Sequence, residues 1–335
     1  MKILEHINVS SKECVYIHRG RNKSLSRFFV PQTCGDYTYD FRGIKKIRFL
    51  STPLGFLKSL IFALEVDQHK YYLLEGGMFI WIGIFLKIFN KNSKIIMNIA
   101  DPTLAVYEYS IYSRMKRVVK LYLLSRFDIF ITNSPMVKKE LENLFPDRLV
   151  LQYYLPLFND RLKHPIHRKR NFKKRVLMLI TRPLETRRTK GLDIFLKIAS
   201  HPLLHEYQFL LGGSGTELLD ITKHERLTSF GHFHNVEEAF AKTDIIVVPS
   251  LYDAYPSVSI ECFKYSVLPI ISNGCVSYYD LKEVSNKLLV DSSVDIEEWI
   301  KKILEISSLP DESYYQILDR GIDMINLKYG LTDEY

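Results

Sequence analysis

The stretch "DIIVVPSLYDAYPSVSIECFKYSVLPIISN", residues 244–273, decides the fold. It opens on an apolar, β-branched run, "DIIVVPS" (244–250), and closes on another, "LPIISN" (268–273). Runs of this kind, without polar alternation and bounded by turn residues, read as strands buried on both faces, as in a parallel sheet. Between them "SVSIECFKYS" (257–266) carries helical spacing, so strand and helix alternate as they do in a doubly wound sheet. The turn after the first strand holds two carboxylates, Asp253 and Glu261, around Pro256 and two serines.

The alternation extends backwards from this stretch. "RVLMLI" (175–180), "YQFLLGG" (207–213) and "LTSFGH" (227–232) read as further strands, with helical patterns in "GLDIFLKIAS" and "NVEEAFAKT". The first half is less regular, but "KYYLLE", "SKIIMNI" and "FDIFITNS" also read as buried strands. Between the halves runs "DRLKHPIHRKRNFKKR" (160–175), polar, basic and nearly free of apolar residues. The expected organisation is an α/β chain with two Rossmann-like, doubly wound domains, at 1–160 and 173–315. A basic linker at 161–172 joins them, and a C-terminal helix at 316–335 is expected to cross back to the first domain.

At 335 residues and 47% hydrophobic, the chain is long enough for two cored domains. The formal net charge of +8 points to an anionic partner, which could be a nucleic acid, a membrane surface or a phosphorylated small molecule. Basic residues are not interleaved with aromatics in any nucleic-acid module, which ranks that partner last and leaves none expected. The four cysteines stand at wide spacings with no C-x-x-C pair, so neither a zinc site nor a disulfide framework is indicated. A reducing cytoplasm suits them. The opening residues lack a signal-peptide core, and the most apolar stretch, "MFIWIGIFLKIF" (78–89), is shorter than the roughly 20 residues that span a bilayer. It reads as a buried helix.

In an open α/β sheet, ligands bind beyond the carboxyl ends of the strands. Read together, those ends gather Arg182, Arg187, Arg188 and Lys190, the turn "GGSG" with Gly213 and Ser214, and the Asp253–Glu261 pair. Singly, each has a plain reading: a solvated basic face, an ordinary turn, a turn cap. Their ordered occurrence fits a diphosphate-bearing ligand. Cations and backbone N–H groups would hold phosphates, and an acceptor-only carboxylate suits vicinal hydroxyls.

This pattern resembles the donor domain of GT-B glycosyltransferases of the family 4 type. That domain carries an Arg and a Lys in a G-R…K-G segment, a G-x-G turn, a hydrophobic-x-F-x-G loop, and P-S followed by two glutamates. Here Arg182 with "KG" at Lys190, "GGSG", "TSFGH" with Phe230, and "PSLYDAYPSVSIE" correspond, over about residues 175–275. The resemblance implies a GT-B fold with the domains facing a central cleft, and a retaining, metal-independent hexosyl transfer from a UDP- or GDP-sugar. No cofactor is implied, and no D-x-D metal motif occurs. It implies that Glu261 binds the ribose and Asp253 faces the sugar, while the N–H groups of Tyr255, Ser257 and Val258, beside Pro256, meet the sugar or the phosphates. Arg182 and Lys190 would stabilise charge on the leaving phosphate. Two positions depart from the pattern: Asp253 stands for the usual first glutamate and Ala254 for the glycine after it.

In the first half, the family's early glycine-rich loop is not recognisable. Asp101, in "MNIADP", is the candidate to face the donor sugar, and Glu75, in "LLEGG", a weaker one for the acceptor. Asp before Pro is also a common turn or cap. The acid-free "YSIYSRMKRVVKLYLLSR" (109–126) places Ile111, Met115, Val118, Val119 and Tyr122 on one helical face, with Lys116, Arg117 and Lys120 roughly opposite. Such a helix suits either an anionic membrane, and with it a lipid-linked acceptor, or packing on its own domain with a solvated basic face. The expected role is assembly of cell-surface polysaccharide or lipopolysaccharide at the cytoplasmic membrane face. The alternative is a sugar-nucleotide-binding protein of the same fold without catalysis.

Overall fold

The computed structural model describes residues 14–18, 38–40, 53–66, 68–76, 79–99, 111–153, 161–166, 172–180, 183–232, 236–253 and 256–328. The chain divides into two compact units, Met1–Pro156 and Leu157–Glu334.

In the first unit, six parallel strands are ordered β2-β1-β3-β4-β5-β6. They are β1 Cys14–His18, β2 Thr38–Asp40, β3 Tyr71–Glu75, β4 Lys94–Asn98, β5 Ile129–Thr132 and β6 Leu149–Gln152. Among the described residues four helices accompany them: α1 Pro53–Glu65, α2 Ile80–Phe89, α3 Ile111–Leu124 and α4 Pro135–Leu144. Successive connections from β2 through β6 all advance in one direction across the sheet. Right-handed crossovers therefore put α1 to α4 on the same face. The core closes on fully buried Tyr72, Phe79, Phe127 and Phe130.

The second unit repeats this architecture in the order β12-β11-β10-β7-β8-β9. Its strands are β7 Arg175–Leu179, β8 Gln208–Gly212, β9 Leu227–Gly231, β10 Ile245–Val248, β11 Leu268–Ser272 and β12 Leu289–Val290. Its helices are α5 Pro183–Thr186, α6 Leu192–Ala199, α7 Val236–Phe240, α8 Val258–Glu261, α9 Ser277–Val284, α10 Ile296–Ser307 and α11 Asp311–Lys328. Four β-branched residues fill β10, which is buried throughout. α10 starts where the Asp295 side chain accepts from the Glu298 N–H, and buries Trp299, Ile300, Ile303 and Ile306 on its inner face.

One device recurs in both sheets. Asp128, just before β5, accepts from the Ile95 N–H of β4 at 2.7 Å. Asp244, just before β10, accepts from the Arg175 N–H of β7 at 2.9 Å. Each carboxylate satisfies a backbone donor at the start of the adjacent strand, which helps to fix the register of β4 with β5 and of β7 with β10.

Several expectations are corrected here. "SVSIECFKYS" is helical as read, though only as an α-turn at Val258–Glu261 that tightens into a 3-10 turn over Cys262–Tyr265. The apolar run at 78–89 forms α2, but Ile88 and Phe89 are exposed. A helix apolar all round has only one side against the sheet, and the 3.6-residue pitch turns Ile88 away from it. On α3, among the described residues, Val118, Val119 and Tyr122 of the face read as apolar are exposed, whereas Leu124 is buried and Lys120 half-buried. The segment 161–166, read as solvated linker, lies along α11: Leu162 exchanges two backbone bonds with the Asn326 amide, and His164 contacts both Asp319 and Asp323. Among the described residues no helix is long and apolar enough to cross a membrane.

Candidate functional site

In the second sheet the chain runs outwards from β7 to β9 and then returns to the other side of β7 with β10. Loops leaving β7 and β10 therefore diverge, and a crevice opens at their carboxyl ends. A cavity of about 340 Å³ lies there. Its floor is Met178 to Ile180 and Val247 to Ser250, and its walls are Gly213 and Ser214 after β8, His232 after β9, and Pro256 to Val258 at the start of α8. Lys190 and Asp253 line it as well.

The Lys190 ammonium donates to Asp253 Oδ2 at 2.5 Å, across 63 positions of sequence. Asp253 is 9% exposed overall, so this is a short, charge-assisted bond at the edge of a low-dielectric wall. Backbone bonds hold both partners. The Asp253 N–H donates to the Gly274 carbonyl at 2.8 Å, and the Asp253 carbonyl accepts from Val276 N–H at 3.0 Å. On the other side, the Thr189 carbonyl accepts from Leu251 N–H at 2.9 Å, so the residue before Lys190 is tied to the loop that carries Asp253.

Three glycines allow this closeness. Gly191 has φ +71°, and a Cβ there would lie 1.9 Å from the Pro249 carbonyl oxygen. Gly213, at φ +125°, packs equally close to the Ile180 carbonyl oxygen. Gly274 presses on the Leu251 and Ser250 carbonyls. Strand ends that must meet at backbone distance exclude side chains there. Behind them lies Cys275, whose thiol donates to the Val248 carbonyl. Burial, and then the Asp253 charge, push that thiol up to about 12, which leaves it protonated and unreactive.

Of the residues singled out from the sequence, Lys190, Asp253, Gly213, Ser214, Pro256, Ser257 and Val258 line the cavity. Glu261 stands one helical turn beyond Ser257, whose hydroxyl hydrogen-bonds its carboxylate, and is not part of the lining. Burial raises the Glu261 carboxyl above the ordinary carboxylate range, against the opposing pull of Ser257 and Lys264. Phe230 sits at the end of β9, 36% exposed, with the Lys242 ammonium over its ring. Arg187 pairs with Asp193 at 2.6 Å rather than entering the cavity. Arg182 and Tyr255 lie outside the described residues, as does Asp101 in the first unit. The sequence reading overlooked His232, although it follows β9 just as Gly213 follows β8.

In the first unit Glu75 ends β3, half-buried, before Gly76 at φ +84°. Beside it the Tyr153 hydroxyl donates to Asn98 Oδ1 at 3.1 Å. Burial raises the Tyr153 hydroxyl well above its usual range, Asn98 opposes this, and Glu75 adds to it. Asn133 Oδ1, after β5, is buried and has no hydrogen-bond partner among the described residues.

Among the described residues no group of three or more His, Cys, Asp or Glu is placed to hold a metal ion. No curated protein matches the sequence. Solved structures similar to this chain include sucrose-phosphate synthase from Thermosynechococcus elongatus, at TM-score 0.66 and 17% identity, over 88% of this chain and 77% of that one. A UDP-forming α,α-trehalose-phosphate synthase from Burkholderia vietnamiensis aligns at TM-score 0.63 and 10% identity, over 82% and 76%. The TarM structure aligns at TM-score 0.62 and 14% identity, over 82% of this chain but 56% of that one. Residues 174–308 match the family described as "Glycosyl transferases group 1". With two parallel α/β units and these neighbours, the chain has the GT-B fold, and the part of it similar to the group 1 glycosyl transferases lies in the second unit.

Proposed function

We propose that this chain is a retaining, metal-independent glycosyltransferase that moves a hexose from a UDP- or GDP-sugar to a glycan or lipid-linked acceptor. The observation that carries the reading is the Lys190–Asp253 bond at the cavity between the ends of β7 and β10. A cation and an acceptor-only carboxylate in contact offer one group to a diphosphate and the other to sugar hydroxyls. The solved trehalose-6-phosphate structure from E. coli, similar in fold at TM-score 0.63, is described as bound with UDP-2-fluoro glucose, which favours a uridine nucleotide as first donor to test.

In the reaction, the bond between the anomeric carbon and the diphosphate oxygen breaks, and its electron pair leaves with the phosphate. The Lys190 ammonium, with Arg182, offsets that growing charge, where a preorganised cation contributes most. Asp253 accepts from the sugar hydroxyls and fixes the ring, and the loops at Gly213 and at Ser257 and Val258 hold the diphosphate through backbone N–H groups. Glu261, just beyond the cavity wall, takes the ribose hydroxyls, with Phe230 and Tyr255 near the base and Pro256 shaping the turn. The acceptor hydroxyl then bonds to the anomeric carbon on the same face and passes its proton to the departing diphosphate oxygen. Asp101 and Glu75 of the first unit are the groups we assign to the sugar and acceptor side. The setting we infer is cell-surface polysaccharide or lipopolysaccharide assembly at the inner face of the cell membrane.

Donor turnover tests this reading. Hydrolysis of, or transfer from, UDP- and GDP-sugars should collapse in a Lys190→Ala, Glu261→Ala double variant. Full activity in that variant would sink the proposal. Donor binding by calorimetry without turnover across a broad acceptor panel would instead favour the non-catalytic, sugar-nucleotide-binding alternative. NMR of the product linkage decides retention, and activity unchanged by EDTA decides metal independence.

A further inference from the structure

Among the described residues that line the cavity of the second unit, Asp253 is the one acid, and it lies against Lys190, the cation that an incoming phosphate would meet. A site built only to hold phosphate gains nothing from a carboxylate there. The main chain under both partners is fixed. Asp253 forms a parallel bridge with Cys275, its N–H donating to the Gly274 carbonyl and its carbonyl accepting from Val276 N–H, and its side chain is only 11% exposed. Gly274 in turn presses on the loop before Asp253, where a Cβ would lie 2.4 Å from the Leu251 carbonyl oxygen and 2.5 Å from that of Ser250. Lys190 is anchored by its own N–H, which donates to the Thr186 carbonyl at 2.8 Å.

Lys190 Nζ stands 2.5 Å from Asp253 Oδ2. A phosphate oxygen that accepts from the same ammonium at about 2.8 Å therefore comes within about 5 Å of that carboxylate oxygen. At this distance, beside a low-dielectric wall, two anions repel. What the phosphate carries at that point differs before and after transfer. In a nucleotide sugar the outer phosphate is esterified to the sugar and bears a single charge, and the sugar hydroxyls donate to a carboxylate. Once the sugar has gone, the same phosphate is terminal, with a second ionisation at about pH 6. The proton it received from the acceptor is then lost to solvent at neutral pH. A further negative charge remains, and no hydroxyl faces Asp253.

We propose that Asp253 makes the site select the intact nucleotide sugar over the nucleoside diphosphate that transfer leaves behind, so that the carboxylate that holds the donor also drives out the product. The inference rests on the donor reading above and adds product discrimination to it. Lys190 serves both states, because its ammonium offsets the charge of either phosphate. Asp253 serves only the first.

Calorimetry of the full chain with UDP, GDP, UDP-glucose, UDP-galactose and GDP-mannose tests it. The wild type should bind a sugar nucleotide more tightly than the matching diphosphate. Asp253→Asn keeps the shape and removes the charge, and it should bind that diphosphate about tenfold more tightly than the wild type does. Glu312→Gln, at an exposed acid of α11, should leave both affinities unchanged. A measurement on the wild type alone covers the case in which Asp253→Asn fails to fold. The methyl ester of the bound diphosphate on its outer phosphate has the donor's charge but no sugar, and it should bind at least as tightly as the diphosphate itself. Weaker binding of the ester would overturn the proposal. So would a wild type that prefers the bare diphosphate to all of its sugars, or an Asp253→Asn variant that gains no affinity for it, as expected if the carboxylate only steadied Lys190. Each of these removes product discrimination and leaves the donor reading standing, whereas a wild type that binds none of the nucleotides removes both.

Discussion

Gly191 lies against Pro249 so closely that the carbonyl oxygen of Pro249 occupies the space a Cβ would need, 1.9 Å away. The residue before that glycine is Lys190, and four positions beyond that proline is Asp253. The contact therefore sets the distance at which the cation meets the carboxylate. Gly191→Ala should cost about 1–3 kcal/mol from the left-handed backbone alone, and more from the overlap with main chain that has no easy way to give. Urea denaturation measures it. A wild-type midpoint together with wild-type donor affinity would mean that the close approach is dispensable.

The Lys190–Asp253 pair should divide into separable functions. Lys190→Ala is expected to lower transfer from a nucleotide sugar by about 10²–10³-fold, as when a preorganised charge-stabilising donor is removed. Asp253→Glu keeps the charge and extends it by one methylene. It should alter the ranking of donor sugars by kcat/KM while leaving the thermal shift caused by UDP alone intact. An unchanged ranking would show that Asp253 does not face the sugar.

Burial holds the Glu261 carboxyl above its ordinary range, so its proton is bound more tightly in the folded than in the unfolded protein. Its contribution to stability is full below the unfolded carboxylate value and is lost as pH rises through the raised folded one. Ribose binding runs the opposite way, since only the ionised form accepts two O–H bonds. UDP affinity should therefore climb with pH through a midpoint above 4.5, the ordinary value. The Glu261→Gln variant should bind weakly and without that midpoint. Identical pH profiles for the two proteins would remove Glu261 from the nucleotide site.

His164 offers a second pH test, remote from the cavity. Its ring nitrogens contact Asp319 at 3.0 Å and Asp323 at 3.1 Å, and the Asp319 hydrogen bond above all raises its pKa from 6.5. The clasp of segment 161–166 on α11 should be complete below pH 6.5 and weaken as pH rises through the raised value. The protection of that segment against hydrogen exchange, relative to the free peptide at each pH, should fall over this interval in the wild type but stay flat and low in His164→Ala. Equal, pH-independent protection in both would leave the clasp to the Leu162–Asn326 bonds.

The strands around the cavity were legible because parallel strands buried on both faces must be apolar without interruption, as in "IIVV" and "LLG". β1, β2, β6 and β12 were not, being two to five residues long and set among polar neighbours. Lys190, Gly213 and Asp253 could be read because each follows a strand in a fixed order. His232 obeys the same rule, yet a lone histidine after a strand has no pattern to single it out. Nor does spacing reveal that the Thr189 carbonyl ties two loops together, because that bond depends on which strands become neighbours. The amphipathicity of α3 was visible, but the outward direction of Val118, Val119 and Tyr122 was set by the residues packing beneath it.

The buried cysteines give the molecule built-in clocks. Cys14 sits in β1 of the first unit, while Cys262 and Cys275 sit in the second, all three inaccessible. An alkylating reagent can reach each only when its own sheet opens. Site-resolved labelling, read peptide by peptide and with Cys34 set aside as outside the described residues, would thus time the opening of one unit against the other within a single intact chain.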